Sequence, residues 1–205
     1  YSYNIHNSTK IISFNSIFFD KNNLFKSDKN LENDQQILWL ENELLKARIN
    51  NQKVWFISHI FPGAGESTIE YNSIMKKLFF NFKDVISHQW WGHSHNDQFI
   101  IYKNLNNTTS KYYSCGMVTP SLMSDKRFPS FRVYDYDPIT FKLIDYTQYY
   151  ANLTDIILTN NFKFQKQYSF RKLYNLSNLD CNSYYSLYDR INDGSLYQKY
   201  CNQYT

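Results

Sequence analysis

The chain is 205 residues long, with 42% hydrophobic, 19% aromatic and 20% charged residues. That length and apolar share suit one moderate-sized domain with a real core, and no apolar run is long enough for a transmembrane helix. The 22 basic and 18 acidic residues leave a net charge of +4, and the basic side chains are scattered, which argues against nucleic-acid binding.

In chain order, residues 11–19 form an apolar, β-rich stretch that runs into a polar loop at 20–30. The spacing of Ile37, Leu40 and Leu44, with Leu38 and Leu45 beside them, predicts a helix over 31–50. Asn33 or Asp34 would cap it, and Asn50-Asn51 would end it. Residues 54–57 are a short apolar run, as expected of a strand buried on both faces; it stops at Ser58-His59, and Pro62, Gly63 and Gly65 mark a loop. A second helix is predicted over 69–82, where Ile74, Leu78 and Phe82 recur every fourth residue with Met75 and Phe79 alongside.

Strand-like runs then crowd together at 84–91, 98–102, 112–118, 131–136 and 141–149, the last two joined by a turn at Asp137-Pro138. Beyond Phe162 the chain becomes rich in tyrosine, with helix-like segments at 184–191 and 196–204, and Tyr168, Phe170, Tyr174 and Leu176 read as packing against the sheet. Strand, helix, strand, helix, then strands, then helices predicts an α/β sheet layer with a small helical tail.

The chain starts at Tyr1, with no charged segment leading into an apolar one, so no signal peptide is in view. Cys115, Cys181 and Cys201 make neither a zinc spacing nor a dense disulfide framework, though Cys181 and Cys201 could close one bridge. Glycosylation sequons stand at Asn7, Asn106, Asn107, Asn152 and Asn175; an asparagine-rich chain produces some by chance, while the Asn106-Asn107 pair lies in a polar loop that would tolerate a glycan.

Histidine is scarce, five in all, so its placement is informative. His59 follows a strand at the carboxyl end, where open α/β sheets place their sites. His93 and His95 bracket Ser94 just past another strand-like run. In extended backbone they would point opposite ways, but in a turn after Gly92 they can reach two metal ions about 3.5–4 Å apart. Asp97 is near enough in sequence to accept the second N–H of such a ring and fix its tautomer. One strand-end histidine alone is more often a surface or core residue; two such strings with a helix between them are a specific signal. Trp90 and Trp91 could contact a lipid or a base, or pack in the core, the latter for at least one of them.

The strings Ser58-His59-Ile60-Phe61-Pro62-Gly63 and Gly92-His93-Ser94-His95 resemble the Gly-His-x-Pro-Pro-Gly and Gly-His-x-His motifs of the calcineurin-like metallophosphoesterases, and within them the acid sphingomyelinase-like phosphodiesterases. Ile12-Ser13-Phe14-Asn15 resembles their Ser-Leu-Asn strand, and Gln36-Ile37-Leu38-Trp39-Leu40 their Gln-Leu-x-Trp-Leu helix. Thr119-Pro120-Ser121, Phe131-Arg132-Val133-Tyr134 with Asp135-Tyr136-Asp137, and Tyr149-Tyr150-Ala151-Asn152-Leu153-Thr154 resemble further family segments. Ser58 and Phe61 replace the usual Gly and Pro of the first motif.

This resemblance implies the C-terminal half of a metallophosphoesterase β-sandwich flanked by helices: residues 1–160 would belong to that domain and 161–205 to a helical extension. It implies that His59, His93 and His95 are zinc ligands, His59 and His93 on one ion and His95 on the other, in an enzyme that hydrolyses phosphodiester or pyrophosphate bonds with two zinc ions. His88 has no counterpart among those ligands and reads as structural, and His6 lies outside every motif. The family's Asp-x-His, Gly-Asp and Gly-Asn-His-Asp/Glu motifs, which carry the other ligands and the proton donor to the leaving group, are absent from this sequence. No catalytic residue is therefore assigned within it.

The resemblance leads to a zinc-dependent phosphodiesterase acting on sphingomyelin or a soluble nucleotide-type phosphodiester, active only with an N-terminal half. The alternative is a catalytically inactive relative acting as a binding or vestigial protein. The stretch from Leu143 to Tyr150 stands closer to the branch acting on soluble substrates, and no saposin-like domain is visible. A monomeric, glycosylated protein, secreted or lysosomal, goes with that family.

Overall fold

A computed structural model describes residues 1–24, 31–104, 112–123 and 127–201, with the side chains of 31–34 and 201 left aside. The chain forms two compact units, one of residues 1–93 and 100–117, the other of 94–99 and 118–205. It is a mixed α/β protein with parallel and antiparallel strands, flanking helices and short helices at the C-terminal end.

The larger sheet has six strands: β1 (Ser2–His6), β2 (Thr9–Ser13), β3 (Lys53–Ile57), β4 (Ile86–Trp91), β5 (Gln98–Lys103) and β6 (Tyr112–Val118), in the order β1-β2-β3-β4-β6-β5. β1 pairs antiparallel with β2, while β2, β3 and β4 run parallel. The stretch expected as one strand over 11–19 divides: only Thr9–Ser13 pairs as β2, and Ile17–Phe19 winds into a 3-10 turn. β1 had no expectation from sequence, because its polar residues Ser2, Asn4 and His6 alternate with aromatic and aliphatic ones without making an apolar run.

β3 is not buried on both faces. Val54 and Phe56 are fully buried, whereas Trp55 is half-buried and Ile57 exposed, the alternation that the two-residue period of a strand imposes.

Two helices connect the parallel strands. α1 (Leu31–Ile49) begins before Asn33 and Asp34, so the expected caps fall inside its first turns. Leu40, Leu44 and Ala47 are buried to the last atom, and Leu38 and Leu45 lie outside that stripe. α2 (Ile69–Asn81) is capped by Thr68, whose hydroxyl accepts from the Tyr71 N–H at 3.3 Å, and buries Tyr71, Met75, Leu78 and Phe79. Phe56, Phe79 and Trp91 meet in the core with ring centroids 5.4–6.0 Å apart. His88 is buried, with its ring against Trp55 and Trp90. Trp91 is 2% exposed, which answers for one of the tryptophan pair.

In the second unit, β7 (Ser130–Tyr136), β8 (Leu143–Tyr150) and β9 (Gln165–Ser169) form a three-stranded antiparallel sheet. The turn expected between the first two is present: the Asp137 carboxylate accepts from the Ile139 and Thr140 N–H groups, each at 2.8 Å. Sequence reading missed β9, whose polar residues Gln165, Lys166 and Gln167 conceal a strand with one buried position, Tyr168. It missed two short helices as well, α3 (Leu153–Thr159) and α4 (Phe170–Tyr174).

The expected tail helices are α5 (Cys181–Asn192) and α6 (Tyr197–Cys201). Cys115 and Cys181 are both disulfide-bonded, and the side chain of Cys201 lies outside the described residues. Asn106 and Asn107 also lie outside them. Among the described residues no helix is long and apolar enough to cross a membrane.

Candidate metal centre

Parallel pairing of β3 and β4, with Ile57 opposite Trp90, brings the residues that follow each strand to one edge of the sheet. There the Gly92 N–H donates to the His59 carbonyl at 3.0 Å. The His59 and His93 rings lie edge to face, their centroids 5.2 Å apart. The structure thus brings together two of the three histidines singled out in the sequence, at the carboxyl ends of parallel strands.

The loop that carries His59 is pinned by its neighbours. Its next residue, Ile60, donates its N–H to the buried Ser16 hydroxyl at 2.7 Å and accepts at its carbonyl from the Tyr71 hydroxyl at 2.8 Å. Burial pushes the Tyr71 phenol well above the ordinary tyrosine range, so this donor keeps its proton. Ser58, in the place of the family's glycine, donates to the Phe14 carbonyl at 2.8 Å. Asn15 and Gln36 exchange two hydrogen bonds, each 2.9 Å, between the Asn15 backbone and the Gln36 amide, which ties the end of β2 to α1.

Gly92 has a steric reason to be glycine. A Cβ built on it would stand 3.1 Å from His59 Nδ1, tighter than ordinary contact. His93 occupies the left-handed region at φ 71°, and its Nε2 lies 3.2 Å from Oε2 of Glu66. Sequence reasoning missed Glu66; it sits in the loop after Gly65, at a position that no periodicity marks.

His95 and Asp97 belong to the second unit. His95 is half-buried, with φ 56°, and the preceding Ser94 hydroxyl accepts from the Asn96 N–H at 3.4 Å. Asp97, expected to accept from a histidine ring, has one carboxylate oxygen on Arg132 Nη2 and the other on the Tyr168 hydroxyl. Burial, and after it the Asp97 charge, push the Tyr168 phenol well above its ordinary value, so it remains the donor. Neither Arg132 nor Tyr168 is recognisable from sequence as a partner of Asp97, since the two stand on different strands far along the chain.

Neutral imidazole is the commonest metal ligand among protein side chains. Two imidazole rings at this separation suit one divalent ion. A catalytic zinc takes three protein ligands and an open position. Among the described residues there is no cluster of three or more His, Cys, Asp or Glu that could hold a metal ion. The residues present therefore fit as part of a zinc site and do not complete one.

Residues 106–205 match the family model for the acid sphingomyelin phosphodiesterase C-terminal region. The chain is 29% identical to sphingomyelin phosphodiesterase 1 of Caenorhabditis elegans, over 87% of its own length and 32% of that protein's. With sphingomyelinase phosphodiesterase C of Dictyostelium discoideum it shares 30% identity, over 87% of this chain and 44% of the relative. Human cyclic GMP-AMP phosphodiesterase SMPDL3A is 28% identical, over 95% of this chain and 46% of the relative. The chain thus spans less than half of the length of these curated relatives.

Proposed function

Because the chain belongs to the acid sphingomyelinase-like phosphodiesterases of the calcineurin-like metallophosphoesterase superfamily, as their C-terminal part, we propose that it supplies the two-histidine side of a zinc-dependent phosphodiester hydrolase. The observation that carries this reading is the His59–His93 pair at the carboxyl edge of β3 and β4, inside two strings that resemble the family's ligand motifs. His59 and His93 would hold one zinc and His95 the other, and residues 1–160 would form the C-terminal part of the catalytic domain, with 161–205 its extension. Zinc in such a site polarises phosphoryl oxygens and makes bound water a competent nucleophile near neutral pH.

This chain's residues would orient that site. His59 is fixed through Ile60, Ser16 and Tyr71, and Gly92 keeps its backbone within hydrogen-bond reach. Activity would require the part of the family's domain that provides the other ligands and the proton donor. Both sphingomyelin and a soluble nucleotide-type phosphodiester fit the relatives' names. The sequons and the two disulfide-bonded cysteines favour the secretory pathway, since disulfides persist in oxidising compartments. A monomer suffices for this chemistry.

The second reading, a catalytically inactive relative, is favoured by the absence of a three-donor cluster among the described residues. Hydrolysis of bis-(p-nitrophenyl) phosphate separates the two. Protein expressed from the complete reading frame should turn it over with zinc, and His93→Ala should lower kcat by at least about 10²-fold, as loss of a ligand does. A wholly inactive wild-type protein would favour the second reading, and zinc-insensitive turnover would count against the zinc site.

A further inference from the structure

We propose that Arg132 and Tyr168 are positioning residues which act through Asp97 to hold the backbone carrying His95; this rests on the reading of His95 as a zinc ligand. The observations all lie within the second unit. Strand register sets Arg132 opposite Gln148 and Gln148 opposite Tyr168, a row of three across one face of the β7-β8-β9 sheet. Arg132 Nε donates to Gln148 Oε1 at 2.9 Å, and its guanidinium lies over the Tyr146 ring, 4.4 Å from the centroid. Its side chain is 1% exposed. The two ends of this row converge on one acceptor, the Asp97 carboxylate, with Arg132 Nη2 on one oxygen and the Tyr168 hydroxyl on the other.

Such an arrangement is costly unless something needs it. A buried guanidinium stays charged and is costly to desolvate unless it is paired, and an apolar core of the same volume would serve stability as well or better. The partner is two residues from His95, whose φ of 56° is uncommon for a residue with a side chain. Backbone in such sparsely populated regions persists only when its surroundings over-determine it. Asp97 is anchored on both oxygens and Ser94 closes a turn on Asn96, so the half-turn bearing His95 is held at both of its ends. A ring that must meet a metal within a few tenths of an ångström needs its backbone held in that way.

The test uses protein expressed from the complete reading frame, with zinc content measured by equilibrium dialysis against a chelator series and with kcat and KM for bis-(p-nitrophenyl) phosphate. Tyr168→Phe removes one bond and leaves the Arg132–Asp97 pair; Asp97→Asn removes the charge. Each should raise the free zinc needed to load the second equivalent by about 10–100-fold and lower kcat at limiting zinc, with KM within about twofold. If Asp97→Asn does not fold, Tyr168→Phe decides alone. Wild-type zinc loading and kcat in Tyr168→Phe, with only a lower melting temperature, would overturn the proposal. His95→Ala tells the two ideas apart. Loss of one zinc equivalent there beside an unaffected Tyr168→Phe removes the positioning role alone, while retention of both equivalents removes His95 as a ligand, and the proposal with it.

Discussion

Adding one methyl group at Gly92 should perturb the site with little effect on the fold. The new Cβ would stand 3.1 Å from Nδ1 and 3.6 Å from Cε1 of His59, so the imidazole must retreat by a few tenths of an ångström. Misplacing a catalytic group by about 1 Å costs on the order of 10²-fold in rate, or about 2.7 kcal/mol. A few tenths of that displacement, in proportion, is about 1 kcal/mol, so Gly92→Ala should lower kcat/KM about fivefold. Steady-state hydrolysis of bis-(p-nitrophenyl) phosphate at saturating and at limiting zinc measures this, and the deficit should be larger at limiting zinc.

Gly116 provides the contrast. A Cβ there would meet Trp91 Nε1 at 2.6 Å and Cδ1 at 2.9 Å, against a ring that is 2% exposed and packed on Phe56 and Phe79. Gly116→Ala should cost about 1–3 kcal/mol of stability through overpacking, with the larger part of its effect on unfolding rather than on zinc loading. Equal zinc affinity and equal kcat/KM in Gly92→Ala and wild type would refute the reasoning, since the methyl group would then have met no functional ring.

Two further predictions concern stability and processing. Glu43 in α1 accepts from Ser2 at 2.6 Å, Lys10 at 3.0 Å and Lys46 at 2.8 Å, and Lys10 is as buried as Glu43. Burial pushes its carboxyl up, but the hydrogen bonds from Lys46, Ser2 and Lys10 outweigh that and hold it at about 2. A depressed carboxylate adds stability above the unfolded value of about 4.3 and loses it as pH falls towards 2. Glu43→Gln, which strands the Lys10 ammonium, should cost about 3 kcal/mol near neutral pH and flatten the acid limb of the stability curve; an unchanged acid limb in guanidinium titrations would count against the assignment. Asn152 caps α3 through Oδ1 and Asn175 is exposed at the end of α4 in a left-handed conformation, so neither amide nitrogen is a capping atom. Protein from a secretory host should carry glycans at one or both, and unmodified peptides covering both sites would remove the glycoprotein reading.

Much of this molecule is legible in the sequence wherever one face of an element is uniformly apolar. The four-residue spacing through α2 and the apolar run of β3 mark elements that follow from their own residues. β1 and β9 were invisible for the opposite reason: they are polar strands that earn their place through register with a neighbour. The histidines at residues 59 and 93 are legible because each follows a parallel strand, the first marked by the apolar run 54–57 and the second by Trp90-Trp91 and Gly92. The row from Arg132 through Gln148 to Tyr168 was not, because cross-strand alignment sets it and no local pattern does. Glu66 went unnoticed for a related reason, its approach to His93 depending on the loop path after Gly65.

The most direct test of the account is anomalous scattering at the zinc edge from crystals of protein expressed from the complete reading frame. The account predicts a zinc peak bonded to a ring nitrogen of both His59 and His93, at roughly 2.0–2.1 Å. Zinc bound elsewhere, with these two rings free of it, would contradict the central claim.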